Sequence, residues 1–248
     1  ENLEKLIGDC NFPWLLSNVV SKHDGQQLAH GKRTLIVEHE GWKLGFMGLI
    51  EKEWLATLAT IEPDEVVYTD FVEAAHELAA ELKAAGCDLV IATTHSRVPN
   101  DTRLAKECPE LDLILGGHDH DAWREVVSGV PVIKSGTDFR ELTEVTISPP
   151  AAGETKCAVD WKVIDITGDL PEDPAAAALV AEDAKELAGS MDKIIGSIGV
   201  PLDTRACIPN SSCTQRNFPA ATESAFLAIT CTDQHRMWFV RRLCKNSY

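Results

Sequence analysis

The chain of 248 residues is 44% hydrophobic and 25% charged, proportions that exclude disorder, collagen and coiled coil and suffice for one large core or two modest ones. Its formal charge of −16 repels phosphate backbones and anionic membrane surfaces, so no nucleic acid and no membrane is expected as a partner, and an anionic substrate would need a metal ion to approach. No apolar run nears the ~20 residues that cross a bilayer.

The chain opens on Glu1, and residues 1–6 read as the interior of a helix without signal or transit character, which predicts a natural start further upstream. Residues 33–38 and 42–50 are β-rich runs around Gly41 and predict a hairpin. Phe71, Ala75, Leu78, Leu82 and Ala85 then fall on one apolar helical stripe, opened by Asp70 with Glu73 as capping-box partner and closed by Gly86. The β-branched run 88–94 is too short for a helix and predicts a buried strand, with His95 at its exit. A short polar helix over 101–108 follows, Pro109 closes it, and a second buried strand at 111–115 runs into Gly116-Gly117-His118-Asp119-His120.

Residues 125–127, 130–133, 142–147 and 157–165 predict short, mostly antiparallel strands. Asp173 and Pro174 then start a helix on which Val180, Ala184, Leu187, Met191 and Ile194 share a face. From residue 206 the composition breaks: residues 206–248 carry +3 against −19 for residues 1–205, and hold Cys207, Cys213, Cys231 and Cys244 without C-x-x-C spacing. Free thiols in an atypical tail are the plain reading, and metal ligands or a disulfide the sharper one. Cysteines scattered without framework spacing favour a reducing, cytoplasmic location.

The histidines carry the chemical signal. In an extended segment His118 and His120 point the same way and Asp119 the opposite way, the two preceding glycines permit close approach and unusual φ, and His95 ends the preceding strand on the same edge. Neutral imidazoles suit Zn, Mn or Fe, with Asp119 or Asp121 as acceptors for their distal nitrogens. His23, His30, His39 and His76 read as solvated positions.

The passages Asn11-Phe-Pro-Trp-Leu-Leu-Ser-Asn-Val19, Gly48-Leu-Ile-Glu51, Thr94-His-Ser96, Gly116-Gly-His-Asp-His120 and Val132-Ile-Lys-Ser-Gly-Thr-Asp-Phe-Arg140 resemble, in order and spacing, the second half of a calcineurin-like metallophosphoesterase of the 5′-nucleotidase family. The resemblance covers residues 1–205. It implies an α/β fold, part of an α/β/β/α sandwich with mixed sheets, and two divalent metal ions in the intact family. It also implies hydrolysis of a small-molecule phosphate ester. Carried over, His95 and His118 bind one metal and His120 the other, while no catalytic residue is assigned.

Residues 1–166 would be the later part of the catalytic domain, 167–197 a connecting helix, and 198–248 the start of a C-terminal domain followed by the tail. The family's D-x-H, bridging G-D and G-N-H-E motifs have no credible counterpart: the chain contains no Gly-Asn pair, Gly8-Asp9 and Gly168-Asp169 stand in other contexts, and Asp233-Gln234-His235 imitates D-x-H only in the tail, without a preceding apolar strand. The shift at residue 206 predicts a frameshift, retained intron or gene-model origin for the tail. The rival expectation is a non-catalytic pseudoenzyme or a metal-binding interaction domain.

Overall fold

Alternation along one strand sets the layers. In β5 (Leu89–Ser96), Val90 and Ala92 enter one core while Leu89 and Ile91 enter another, because successive strand side chains face opposite ways. A strand buried on both faces needs a cover on each, and the chain supplies a helical layer and a hairpin. The computed structural model describes residues 2–57, 62–153 and 156–191. The chain divides into two units, residues 1–168 and 169–248.

The first unit is built on a six-stranded mixed sheet of order β2-β3-β5-β6-β8-β7. β2 (Thr34–His39) and β3 (Trp42–Ile50) are the expected hairpin, with Glu40 and Gly41 both at positive φ as a tight primed turn requires. β3, β5, β6 (Leu113–His118) and β8 (Val130–Ser135) run parallel, and β7 (Ala122–Val127) pairs antiparallel at the far edge. The expected polar helix is α4 (Val98–Glu107), and the apolar stripe is α3 (Phe71–Ala84). Residues of α3 and α4 pack with Met47, Leu49, Val90, Ile114 and Val132 in one core. Leu89, Ile91, Leu113 and Ile133 pack on the other face with Val145, Ile147, Val159 and Trp161 of the hairpin β9 (Glu141–Ser148) and β10 (Ala158–Asp165). The order is helices, mixed sheet, antiparallel hairpin.

Three local outcomes differ from the sequence reading. Asp70 caps α3 as expected, accepting from Val72 N at 3.0 Å, but Ala85 lies beyond the last helical residue and is exposed instead of joining the apolar stripe. Helix α4 begins at Val98, three residues early, because Pro99 is tolerated in a first turn and the cap comes from distant sequence, Asp119 Oδ2 accepting from Val98 N at 2.9 Å. A two-stranded sheet of β1 (Val19–Ser21) and β4 (Val66–Tyr68) has no counterpart in the sequence reading, each strand being too short to show alternation.

The segment before β1 is pinned to β3. Asn18 donates to Ile50 O at 2.9 Å and accepts from Ile50 N at 3.0 Å, while Ser17 Oγ accepts from Gly48 N at 2.7 Å. A Cβ on Gly48 would lie 2.7 Å from Leu15 Cβ, so this approach requires glycine.

In the second unit, α5 (Pro174–Met191) is capped by Asp173, which accepts from Ala176 N at 2.8 Å. The expectations for Ile194, for the tail cysteines and for residues 198–248 lie outside the described residues. No helix among the described residues is long and apolar enough to cross a membrane.

Candidate metal centre

Parallel pairing sets His95 opposite Gly117 and Ser96 opposite His118. The C-terminal ends of β5 and β6 therefore share one edge, where open α/β sheets bind ligands. There His118 Nδ1 lies 3.3 Å from His95 Nε2, with ring centroids 5.2 Å apart.

The backbone at this pair is strained. His118 has φ +79°, and Gly117 O accepts from Asp119 N at 3.2 Å, which makes His118 the centre of a rare three-residue γ-turn. A non-glycine residue in such a region costs about 1–3 kcal/mol and persists only where its surroundings over-determine it. The unusual φ expected of the glycines thus falls on the histidine, and residues 118–120 are not the extended run assumed from sequence. Gly116 serves instead by close approach, since a Cβ there would lie 2.7 Å from Asp101 Oδ2.

What over-determines the turn is a buried lysine. Lys134, on β8 and 1% exposed, donates from Nζ to Ser96 O at 2.6 Å and to Gly117 O at 2.5 Å, the carbonyls adjoining His95 and His118. The same ammonium lies 2.8 Å from Asp101 Oδ2 and 3.1 Å from Asp119 Oδ2. Burial raises the Asp101 pKa, against the pull of Lys134 and the Thr94 hydroxyl. Beside this, buried Glu51 accepts from Arg97 N at 2.9 Å, Arg97 Nε at 2.8 Å and Asn100 Nδ2 at 2.7 Å. Trp54, in α2 (Trp54–Thr57), turns its ring edge-on to His95 at 4.5 Å and to His118 at 5.5 Å, and its Nε1 donates to His95 O at 3.2 Å.

Partial desolvation of a ring that still reaches solvent, then the charges of His118 and Lys134, hold the His95 pKa below the ordinary imidazole range, with Glu51 and Asp119 opposing. The lowered value favours the neutral ring, the form whose lone pair a metal needs. The two rings fit one divalent cation of the Zn, Mn or Fe kind. Asp119 is engaged through one oxygen, Oδ2, by Val98 N and Lys134. His120 is exposed and lines a small polar depression with Ser135, Thr137, Arg140 and Glu141. Among the described residues the three imidazoles do not bring their nitrogens all within 4.8 Å of one another.

Sequence reasoning assigned no role to Trp54, Glu51, Asp101 or Lys134, although Glu51 and Lys134 stand in two of the passages that carry the resemblance, and Lys134 is also a lone charge ending the apolar run Val130–Ile133.

No family model matches the chain. It is 27% identical over 123 residues to Protein 5NUC of Lutzomyia longipalpis, a match covering 48% of this chain and 21% of that protein. Its fold matches the 5′-nucleotidase precursor of Thermus thermophilus with a TM-score of 0.65 and 21% identity, covering 78% of this chain and 41% of the other. The calcineurin-like phosphoesterase YfkN of Bacillus subtilis matches with a TM-score of 0.57 and 18% identity, covering 71% of this chain and 62% of that one. The chain thus spans about a fifth of that curated relative and two fifths of the Thermus protein. The mixed sheet with its helical and hairpin covers is the fold of these 5′-nucleotidase and calcineurin-like phosphoesterase structures, and in sequence the chain is similar to a part of 5′-nucleotidase-type proteins.

Proposed function

We propose that this chain carries metal ligands of a phosphoric ester hydrolase of the 5′-nucleotidase type, His95 and His118 holding one divalent cation and His120 serving a second. The substrate class is a small-molecule phosphate ester. The observation that carries the reading is the 3.3 Å convergence of two strand-end imidazoles on a strained turn. Support comes also from relatives named for nucleotide and phosphoester hydrolysis.

A divalent cation at this edge would neutralise phosphate oxygens and lower the pKa of water. The chain's own residues do the positioning. His95 and His118 present ring nitrogens, Trp54 packs edge-on to both rings, and Lys134 ties the two strand ends together. Local positive charge would also let an anionic ester approach a chain of charge −16.

One observation favours the second reading, a non-catalytic metal-binding or pseudoenzyme domain: Asp119, the nearest carboxylate in sequence, is already engaged by Lys134 and α4. Calorimetric titration with Mn²⁺, paired with phosphate release from a nucleoside monophosphate in added Mn²⁺, separates the two. Uptake by the parent, weakened at least about tenfold in His95→Ala and His118→Ala, is expected together with phosphate release. Uptake without release selects the second reading. Absence of uptake, or uptake indifferent to both substitutions, removes the histidine pair from any metal site.

A further inference from the structure

A second group of potential ligands lies at the other end of α4. His76 of α3, Cys108 at the C-terminal cap of α4 and Glu110 just beyond place a ring nitrogen, a sulfur and a carboxylate oxygen all within 4.8 Å of one another. The ten residues of α4 span about 15 Å, so this group is remote from the histidine pair at the helix's first turn. His76 Nδ1 already pairs with Glu110 Oε1. Cys108 Sγ donates to Val72 O at 3.6 Å, and Val72 lies one turn before His76 on the same helix face. The sulfur therefore lies under the face that carries the imidazole.

We infer that His76, Cys108 and Glu110 form a site for a thiophilic divalent cation of the zinc class, with solvent in the fourth position. A mixed nitrogen, sulfur and oxygen set is what Zn²⁺ accepts, whereas Mg²⁺ and Ca²⁺ require oxygen. Tetrahedral bonds of about 2.0–2.3 Å separate ligand atoms by about 3.3–3.8 Å, so the present grouping needs only small adjustments. The parts free to adjust are those in solvent, the His76 and Glu110 side chains being 48% and 34% exposed, while the sulfur is fixed in the core. Glu110, Glu107 and Asp70 set negative charge against the thiol and Arg103 opposes them, which makes the local field favourable to a bound cation. On binding, the sulfur–hydrogen bond is replaced by a sulfur–metal bond and the proton leaves to solvent. This site does not depend on the hydrolase reading.

Cobalt(II) titration of the full chain tests it, because a thiolate ligand gives a near-ultraviolet sulfur-to-cobalt absorption band. The band is expected in the parent and in His118→Ala, lost in Cys108→Ser, and reached only at about tenfold higher cobalt in His76→Ala, whose half-exposed position leaves the core intact. A parent without the band overturns the site, as does a band unchanged in both Cys108→Ser and His76→Ala, which would assign it to another cysteine. In the His118→Ala background zinc should also raise the thermal midpoint, and by less once His76→Ala is added.

Discussion

Helix α4 joins two polar regions of opposite construction. At its first turn the charges are buried and saturated: Lys134 is shared between two carboxylates and two carbonyls, and Glu51 accepts three donors. At its last turn a single buried thiol sits beneath an imidazole and a carboxylate that remain in solvent. The first arrangement fixes geometry before any ligand arrives, and can hold His118 in a conformation it would not adopt alone. The second fixes nothing and leaves the geometry to the ligand.

The sharpest way to break this contrast is Lys134→Met. The substitution strands Asp101, 0% exposed, and removes the lysine donor from Ser96 O and Gly117 O. A loss of about 3–5 kcal/mol is expected in urea unfolding, the magnitude for removing one partner of a buried ion pair. Adding Asp101→Leu should recover much of it, since the penalty lies in the orphaned carboxylate. A single-variant loss under about 1 kcal/mol would show that Lys134 does not anchor the strand ends.

How much of this is visible in the sequence follows from how local each cause is. The strand of Leu89–Ala92, the stripe of α3 from Phe71 to Leu82 and its Asp70 cap depend on neighbours within a turn or two, and they appear as read, Ala85 alone falling outside. Gly116 and Gly117 point to the right edge through their lack of side chains. The start of α4 escapes the pattern because its cap, Asp119, is 21 positions away. Trp54, Glu51 and Asp101 are invisible for the same reason, since their roles arise only when β3, β5 and β8 are aligned. The γ-turn at His118 runs against local preference, and sequence pattern reports only what local preference favours.

Glu51→Gln gives a smaller effect and a pH signature. Burial alone would raise the Glu51 pKa, but the donors from Arg97 N, Asn100 and the Arg97 guanidinium outweigh it and leave the value lowered. The folded state then binds fewer protons than the unfolded one across the acid range. The contribution is present above the unfolded carboxylate value and is lost as pH falls through the folded one. The glutamine variant should be less stable by about 1–2 kcal/mol at neutral pH, with the gap closing on acidification. Parallel stability curves down to acid pH would mean that the Glu51 charge contributes nothing to the contrast.

The smallest effect separates the two ends by sign. At His118, φ +79° penalises any side chain, so His118→Gly should be more stable than His118→Ala by about 1 kcal/mol, the ring being lost in both and only the backbone differing. At His76, inside α3, the order reverses: His76→Gly should be less stable than His76→Ala by about 1 kcal/mol, because glycine in a helix interior loses more conformational freedom on folding. Four thermal or urea midpoints suffice. Alanine winning at both positions would remove the strain from the histidine edge and, with it, the claim that one end of α4 is preorganised and the other is not.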